Sequence, residues 1–209
     1  MQPSRHHQNF LVQTGFIAAA FLLLLSSQTM GQVFYSIIDS RDGKEYNVVL
    51  IDDLWWMAEN LNVGTRIDAR LDDPGHQRDN GTIEKYCYNN NESYCNKYGG
   101  LYQWDELMQY GNIEFYHGIC PSGWHVSADD EWKQLEAYLG MNSASVNDTG
   151  FRGVKEGGML KSIGTTYWDF PNGEATNTVG FNALPGGFCD ITGNFNYEEN
   201  LNYKTVPIF

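Results

Sequence analysis

Residues 120–140 read CPSGWHVSADDEWKQLEAYLG, and this stretch contains the clearest single element of the fold. Ser127 is a favourable N-cap residue, and Asp130, three positions on, gives a weaker version of the capping box. Acidic residues crowd the first turn, where the helix dipole stabilises negative charge. The apolar residues then fall at i, i+3 and i+7: Trp132, Leu135 and Leu139. With Gly140 as a stop signal, the pattern predicts one amphipathic helix.

Two apolar runs nearer the N-terminus predict a β-hairpin. EYNVVLI at 45–51 and LWWMAENL at 54–61 flank an acidic pair that breaks the first run. Because side chains alternate along a strand, Trp55 and Trp56 are expected on opposite faces. The run VFYSIIDS at 33–40 predicts a further short strand.

The rest of the chain is rich in turn-forming residues, with 22 glycines and 19 asparagines among 209 residues. Both types favour turns and positive φ, so the residues alone favour a loop-rich α+β or all-β domain. A long loop is expected over 64–84, and irregular structure with short strands over 157–188. Between glycines, 99–111 predicts a short helix with one apolar face: Leu101, Trp104 and Met108.

The N-terminal region carries an export signal. Residues 15–25, GFIAAAFLLLL, form an apolar run that is shorter than the roughly 20 residues a membrane-spanning helix needs. Arg5 precedes it and small residues follow it, so a secretory signal peptide is expected over 1–31, with cleavage before Gln32. No cysteine lies near that junction, which argues against a lipoprotein acyl site. Residues 32–209 are expected to form one domain, with no integral membrane segment after cleavage.

The negative net charge limits the classes of partner that the chain is expected to bind. The chain has a formal net charge of −13 at pH 7. Removing the signal peptide removes one basic residue, which leaves 12 basic against 26 acidic side chains, or −14. Such a chain repels phosphate backbones, so we expect no nucleic-acid partner.

All four cysteines lie in the expected exported part, where disulfides persist. Cys87 and Cys95 flank seven asparagine-rich residues that are expected to form a polar loop and to close easily, so this pair is the favoured disulfide. Cys120 and Cys189 then either pair with each other or stay free. A metal site is disfavoured, because no CxxC occurs and the histidines of the exported part lack ligand spacing.

Motifs for catalysis are absent from residues 32–209. The segment contains no GxSxG, HExxH, P-loop or GxGxxG pattern. The acidic stretch 68–80 lacks the DxDxDG pattern of a calcium loop, and Cys120 with His125 makes an unconvincing dyad. We therefore predict no catalytic residue, no metal and no cofactor.

The tryptophans are the candidate ligand-binding residues, since exposed aromatic rings offer flat surfaces to sugars and peptides. A core role is favoured for three of them: Trp56, Trp124 and Trp132. Both roles stay open for the other three, which are the candidate ligand-binding set: Trp55, Trp104 and Trp168.

Four ordered blocks within 38–188 closely resemble the Fibrobacter succinogenes major paralogous domain: 42–62, 87–106, 120–136 and 157–187. That family occurs in exported and lipid-anchored proteins of Fibrobacter and Bacteroidetes. The GWHVSADDEW block also looks like the RLPTEAEW block of formylglycine-generating-enzyme-like domains, which have the C-type-lectin-like fold. The resemblance implies an irregular α+β domain with short strands and two or so helices.

The resemblance also implies a departure at the C-terminus. Family members usually continue beyond the LPGG block, through a Trp-Ser-Ser segment, to a final strand containing a cysteine. Here the chain ends at Phe209 after CDITGNFNYEENLNYKTVPIF. We therefore expect a domain that lacks its closing segment, with the partner of Cys120 lost and one sheet edge unpaired.

The main functional hypothesis is an exported binding module located in the periplasm, on the outer-membrane surface or outside the cell. It would present aromatic and Asn/Asp-rich loops to a glycan or a surface protein. One alternative is an enzyme or enzyme remnant related to formylglycine-generating enzymes, which needs a reactive thiol. The other is a structural surface component that assembles through its open edge.

Overall fold

The computed structural model describes residues 34–70, 77–150, 152–190 and 192–196. The expected signal peptide over 1–31, part of the acidic stretch 68–80 and the C-terminal end after Asn196 lie outside these residues. Across the part that is described, no helix is long and apolar enough to span a membrane.

Short elements make up a mixed α+β architecture, as the sequence predicts. The strands are β1 Phe34–Ile38, β2 Glu45–Ile51, β3 Leu54–Met57, β4 Thr65–Arg66, β5 Glu84–Lys85, β6 Phe188–Cys189 and β7 Phe195–Asn196. The helices are α1 Glu92–Tyr98, α2 Trp104–Leu107, α3 Asp129–Tyr138 and α4 Glu156–Leu160, with 3-10 turns at Tyr88–Asn90 and Ser145–Asn147. Strands β4 and β5 pair in parallel, and β6 and β7 pair antiparallel.

The largest described sheet is antiparallel, in the order β1-β2-β3, and a hydrophobic core lies on each side of β2 and β3. In β2, Val49 lies opposite Trp56 and faces one hydrophobic core, whereas Val48 lies opposite Met57 and faces the other. Burial on both sides explains why β2 reads as a nearly continuous apolar run. The expected hairpin is confirmed, although its second strand ends at Met57, short of the predicted 54–61.

Helix α3 covers one face of this sheet. Leu135 and Leu139 are 2% and 3% exposed and belong to the same core as Val49. The half-buried Trp132 ring lies 4.7 Å from that of Trp56, centroid to centroid. The predicted apolar face of this helix is therefore confirmed.

The start of α3 differs from the prediction. The N-cap is Ala128, not Ser127, and the carboxylate that reaches back belongs to Glu131. Its Oε2 accepts the Ala128 backbone N–H at 3.0 Å. The side chain of Asp130 is 92% exposed, whereas the longer glutamate side chain folds back over the preceding turn.

The segment between the first two cysteines was expected to be a loop, but it contains a 3-10 turn and the start of α1. Asn91 caps this helix, since its side chain accepts the Ser93 N–H at 3.0 Å. The local asparagine-rich composition hides the helix, because asparagine favours both turns and N-caps.

The predicted helix over 99–111 is mostly wrong. Helix α2 has four residues, and Leu101 lies outside it in an isolated bridge with Tyr86. Trp104 is 63% exposed, whereas Leu107 and Met108 are buried. Packing therefore selects a different face from the one that the i, i+3, i+7 spacing predicts.

The region 157–188 is largely irregular, as predicted, but its first part is helical in α4. The backbone of Glu174 lies so close to Gly158 that a Cβ atom at this position would overlap the Glu174 carbonyl. A bridge between Lys161 and Ala183 then joins the two ends of the irregular stretch.

Candidate functional site

The three candidate tryptophans lie on separate elements. Trp168, between α4 and β6, is 2% exposed, and its indole N–H donates to the Ala183 carbonyl at 3.1 Å. Its ring is part of the core, so a core role holds for this residue and its ring has no open face for a ligand. Trp55 in β3 is half-buried, with the Tyr35 ring edge-on at 5.2 Å. Trp104, at the start of α2, presents most of its surface to solvent.

A row of aromatic rings along α1 offers a second candidate surface. We call it the aromatic row, and its members are Phe195, Tyr88, Tyr94, Tyr98 and Tyr167. Tyr94 and Tyr98 lie one helical turn apart, with ring centroids 6.1 Å apart and planes within 15°. Tyr167 meets Tyr98 edge-on at 6.2 Å. Neighbouring rings along the row are thus in aromatic contact.

A cation lies over the exposed end of the row. The Nζ atom of Lys97 is 4.8 Å from the Tyr98 centroid and 5.3 Å from that of Tyr167. The neighbouring Tyr98 side chain raises the pKa of Lys97, so this exposed ammonium is charged at neutral pH. Tyr94 is half-buried and Tyr167 is 39% exposed. The partly exposed rings of Tyr94 and Tyr167 and the Lys97 ammonium therefore all lie against the buried Tyr98 ring.

Two restraints hold α1 in place. A disulfide joins Cys87 to Cys95, as the sequence predicts, and links the helix to the segment before it. At the other end, Asn60 Nδ2 donates to the Tyr98 carbonyl at 2.7 Å. Gly99 follows with φ 87°, and a Cβ here would overlap Asn60. Fixed rings lose little conformational freedom when they bind a ligand.

The sequence contains a signal for this row. Tyr94 and Tyr98 are spaced i, i+4, as neighbours on a helix are. Because the segment between the cysteines was expected to be a loop, this helical spacing was not used, and the tryptophans were the candidate ligand-binding residues instead. Tyr167 joins the row from a residue far away in the chain, and no local pattern predicts that contact.

The family model of the Fibrobacter succinogenes major domain matches residues 49–205, about three quarters of the chain. The chain belongs to this family. The family resemblance predicted from the four blocks is thereby confirmed. Searches of curated proteins and of solved structures give no match.

The two remaining cysteines of this family member are free thiols, so of the two predicted alternatives the unpaired one holds. Cys120 is 0% exposed, and burial raises its pKa to about 12. Cys189 is half-buried, and burial also raises its pKa. Since the thiolate is the nucleophile, neither environment activates a cysteine.

His125 and Glu131 are residue types that act in acid–base catalysis, but here they hold the start of a helix in place. His125 Nε2 lies 3.0 Å from Glu131 Oε2, and both side chains are largely buried. The same carboxylate accepts the Ala128 N–H at the start of α3. The pair therefore ties the GWH segment to the helix.

The described residues contain no group of three or more His, Cys, Asp or Glu side chains placed to hold a metal ion. Of the acidic stretch 68–80, residues 71–76 lie outside the described part. The acidic pair Asp52 and Asp53 forms the hairpin turn, with Asp52 at φ 54°, as its position between the two strands predicts.

Proposed function

We propose that this family member is an exported binding module that holds a glycan on the solvent-facing end of the aromatic row. The observation that carries the proposal is the pair Tyr94 and Lys97 on a helix fixed by a disulfide, with the Tyr167 ring under the Lys97 ammonium. Binding sites generally combine apolar faces with a few well-placed polar groups. The tyrosine rings supply both, since each has an apolar face and a hydroxyl.

Charge narrows the glycan class. The ammonium of Lys97 can donate hydrogen bonds to sugar hydroxyl or carboxylate oxygens. The whole chain carries a net charge of −13 and repels polyanions. We therefore propose a neutral or weakly acidic glycan. The expected signal peptide supports an exported location, in the periplasm, on the outer-membrane surface or outside the cell.

For the fold, we propose the C-type-lectin-like class. This proposal is supported by the resemblance of the GWHVSADDEW block to the RLPTEAEW block of formylglycine-generating-enzyme-like domains. The short strands, few helices and long irregular stretches of the described residues also support it. A shared fold does not transfer activity. The glycan proposal therefore rests on the aromatic row alone.

A second copy of this chain is the second candidate partner, as in a structural surface component, and strand β1 supports it. Phe34, Tyr35 and Ile38 are 54%, 60% and 70% exposed, and within the described sheet β1 pairs with β2 alone. An exposed apolar edge strand is a template for pairing with another chain. No such observation supports the enzyme alternative, because it needs a reactive thiol and Cys120 is fully buried.

The test measures retention of the exported domain on insoluble polysaccharides, with cellulose, xylan and chitin as probes. Tyr167→Ala and Lys97→Gln are each expected to weaken retention about tenfold, equivalent to ~1.4 kcal/mol. Tyr138→Ala is the matched control, because Tyr138 is 55% exposed on α3 and outside the row. Equal retention of the Tyr167 and Tyr138 variants, or no retention of the unmodified domain on any probe, contradicts the glycan proposal. Size measurement in solution tests the second candidate, and a clean monomer counts against self-assembly through β1.

A further inference from the structure

A buried lysine lies against a buried asparagine at the base of α1. Lys85, in β5, is 4% exposed, and Asn62, in the loop after β3, is 5% exposed. The Lys85 Nζ atom donates to Asn62 Oδ1 at 2.6 Å and to the Asn62 backbone carbonyl at 3.1 Å. Lysine is almost never fully buried unless its charge is paired. The nearest polar partner here is nevertheless a neutral amide.

A carboxylate stands beside this pair at the boundary with solvent. Glu92, the first residue of α1, places Oε1 3.7 Å from Lys85 Nζ, and its side chain is 50% exposed. A second ammonium, that of Lys44, donates to the same Asn62 backbone carbonyl at 3.2 Å. The site thus contains an amine, a primary amide and an acid, with the amine and the amide shielded from water.

The buried environment makes it easier for the Lys85 ammonium to lose its proton. Burial lowers the pKa of Lys85, and Lys44 lowers it further, while Glu92 acts in the opposite direction. A lysine is nucleophilic only when it has lost its proton, and desolvation is the usual means of achieving that.

We propose that Lys85 and Asn62 join in an intramolecular isopeptide bond, formed by the folded chain without any added reagent. The Nζ atom of Lys85 attacks Cγ of Asn62, and a new C–N amide bond forms. The bond from Cγ to Nδ2 breaks, and the amide nitrogen leaves as ammonia. Nothing is oxidised or reduced.

Glu92 is the proton carrier in this step. Its carboxylate takes one proton from the Lys85 ammonium, and the neutral amine then attacks Cγ. In the tetrahedral intermediate, Glu92 passes that proton to the Asn62 nitrogen and takes a second proton from the former lysine nitrogen. The intermediate collapses to the amide, and the ammonia that leaves takes the second proton from Glu92 and becomes an ammonium ion. One lysine ammonium and one primary amide thereby give one secondary amide and one ammonium ion, so atoms and charge balance.

The bond would connect two segments 23 residues apart in sequence. It would fasten the loop after β3 to β5, next to the disulfide between Cys87 and Cys95. Covalent loop closure stabilises a domain chiefly by restricting its unfolded chain. The proposal stands on the contacts of Lys85 and does not depend on the glycan proposal.

Mass spectrometry of the purified chain, held folded at neutral pH and then digested with trypsin, tests the proposal. Trypsin does not cut after an acylated lysine. The cross-linked chain therefore gives a branched species that joins 45–66 to 79–97, lighter by one ammonia than the sum of its parts. Without the bond, the digest gives 45–66, 79–85 and 86–97 separately. Quantitative recovery of these three peptides after prolonged incubation overturns the proposal.

A pair of variants tests the proton carrier. Glu92→Gln is expected to slow formation of the branched species about 100-fold, the usual scale of general acid–base catalysis. Glu114→Gln is the matched control, since Glu114 is exposed and distant in sequence from the pair, and its rate should equal that of the unmodified chain. Circular dichroism checks that both variants fold. A Glu92 variant that cross-links at the unmodified rate overturns the role of Glu92.

Discussion

Replacing Glu131 by alanine tests how α3 begins. The carboxylate accepts the Ala128 N–H at 3.0 Å and lies 3.0 Å from His125 Nε2. Losing a helix-capping acceptor costs about 1 kcal/mol. Removing negative charge from the first turn costs a further ~0.3–1 kcal/mol, and leaving a buried donor unpaired costs ~1–3 kcal/mol. These effects overlap, so we expect Glu131→Ala to lower the free energy of unfolding by about 2–3 kcal/mol.

Urea denaturation followed by circular dichroism measures this change. Asp130→Ala is the matched control on the same helical turn: its side chain is 92% exposed, and its one described ion pair, to Lys133, spans 3.9 Å. The control should change the free energy of unfolding by less than about 0.5 kcal/mol, as exposed substitutions usually do. Glu131→Gln, which keeps an acceptor but loses the charge, should fall between the two. If Asp130→Ala proves the more destabilising change, the cap inferred from sequence is right and the one described here is wrong.

Three further predictions concern covalent, ionic and thiol chemistry. Changing Cys87 and Cys95 to serine together should lower the free energy of unfolding in urea by about 2.5 kcal/mol, from loop-closure entropy over a separation of 8 residues; no change would contradict it. The Arg41 guanidinium lowers the pKa of the buried Asp39 carboxyl, so the stabilisation by this pair is present above pH 3.8 and is lost as pH falls through the lowered value. Asp39→Asn should therefore be destabilised by about 1.5–3 kcal/mol at neutral pH and by less in acid, as followed by thermal melts against pH. Cys120 should resist a thiol reagent in the native domain and react once the domain is unfolded in urea, whereas rapid native labelling would refute its burial.

Sequence reasoning succeeded where local pattern and burial agree. The hairpin of β2 and β3 and the apolar face of α3 follow from alternation and from i, i+3, i+7 spacing, because each strand or helix buries the side that its own pattern makes apolar. The disulfide between Cys87 and Cys95 was also predictable, since a short polar segment brings its ends together easily. Family membership followed from four ordered blocks of residues.

Prediction failed where a residue's neighbours come from elsewhere in the chain. The spacing of Leu101, Trp104 and Met108 predicts one helical face, yet Trp104 is exposed and Leu101 pairs with Tyr86. The aromatic row also depends on a neighbour from elsewhere in the chain, because Tyr167 reaches it through a tertiary contact with Tyr98. Short helices are especially prone to such errors, since packing outweighs propensity in them.

The sequence by itself determined the family, through four ordered blocks of residues, and with the family the α+β class, which composition alone left open against an all-β domain. It also determined the favoured disulfide, the main hairpin and the main helix, because local spacing and periodicity encode these features. Only the tertiary structure decided that Trp168 is buried, that Tyr94 and Tyr167 share one surface, and that Lys85 meets Asn62. The physical reason is that side chains far apart in sequence meet only when the whole core packs. Their burial, charge state and chemistry are therefore properties of that packing.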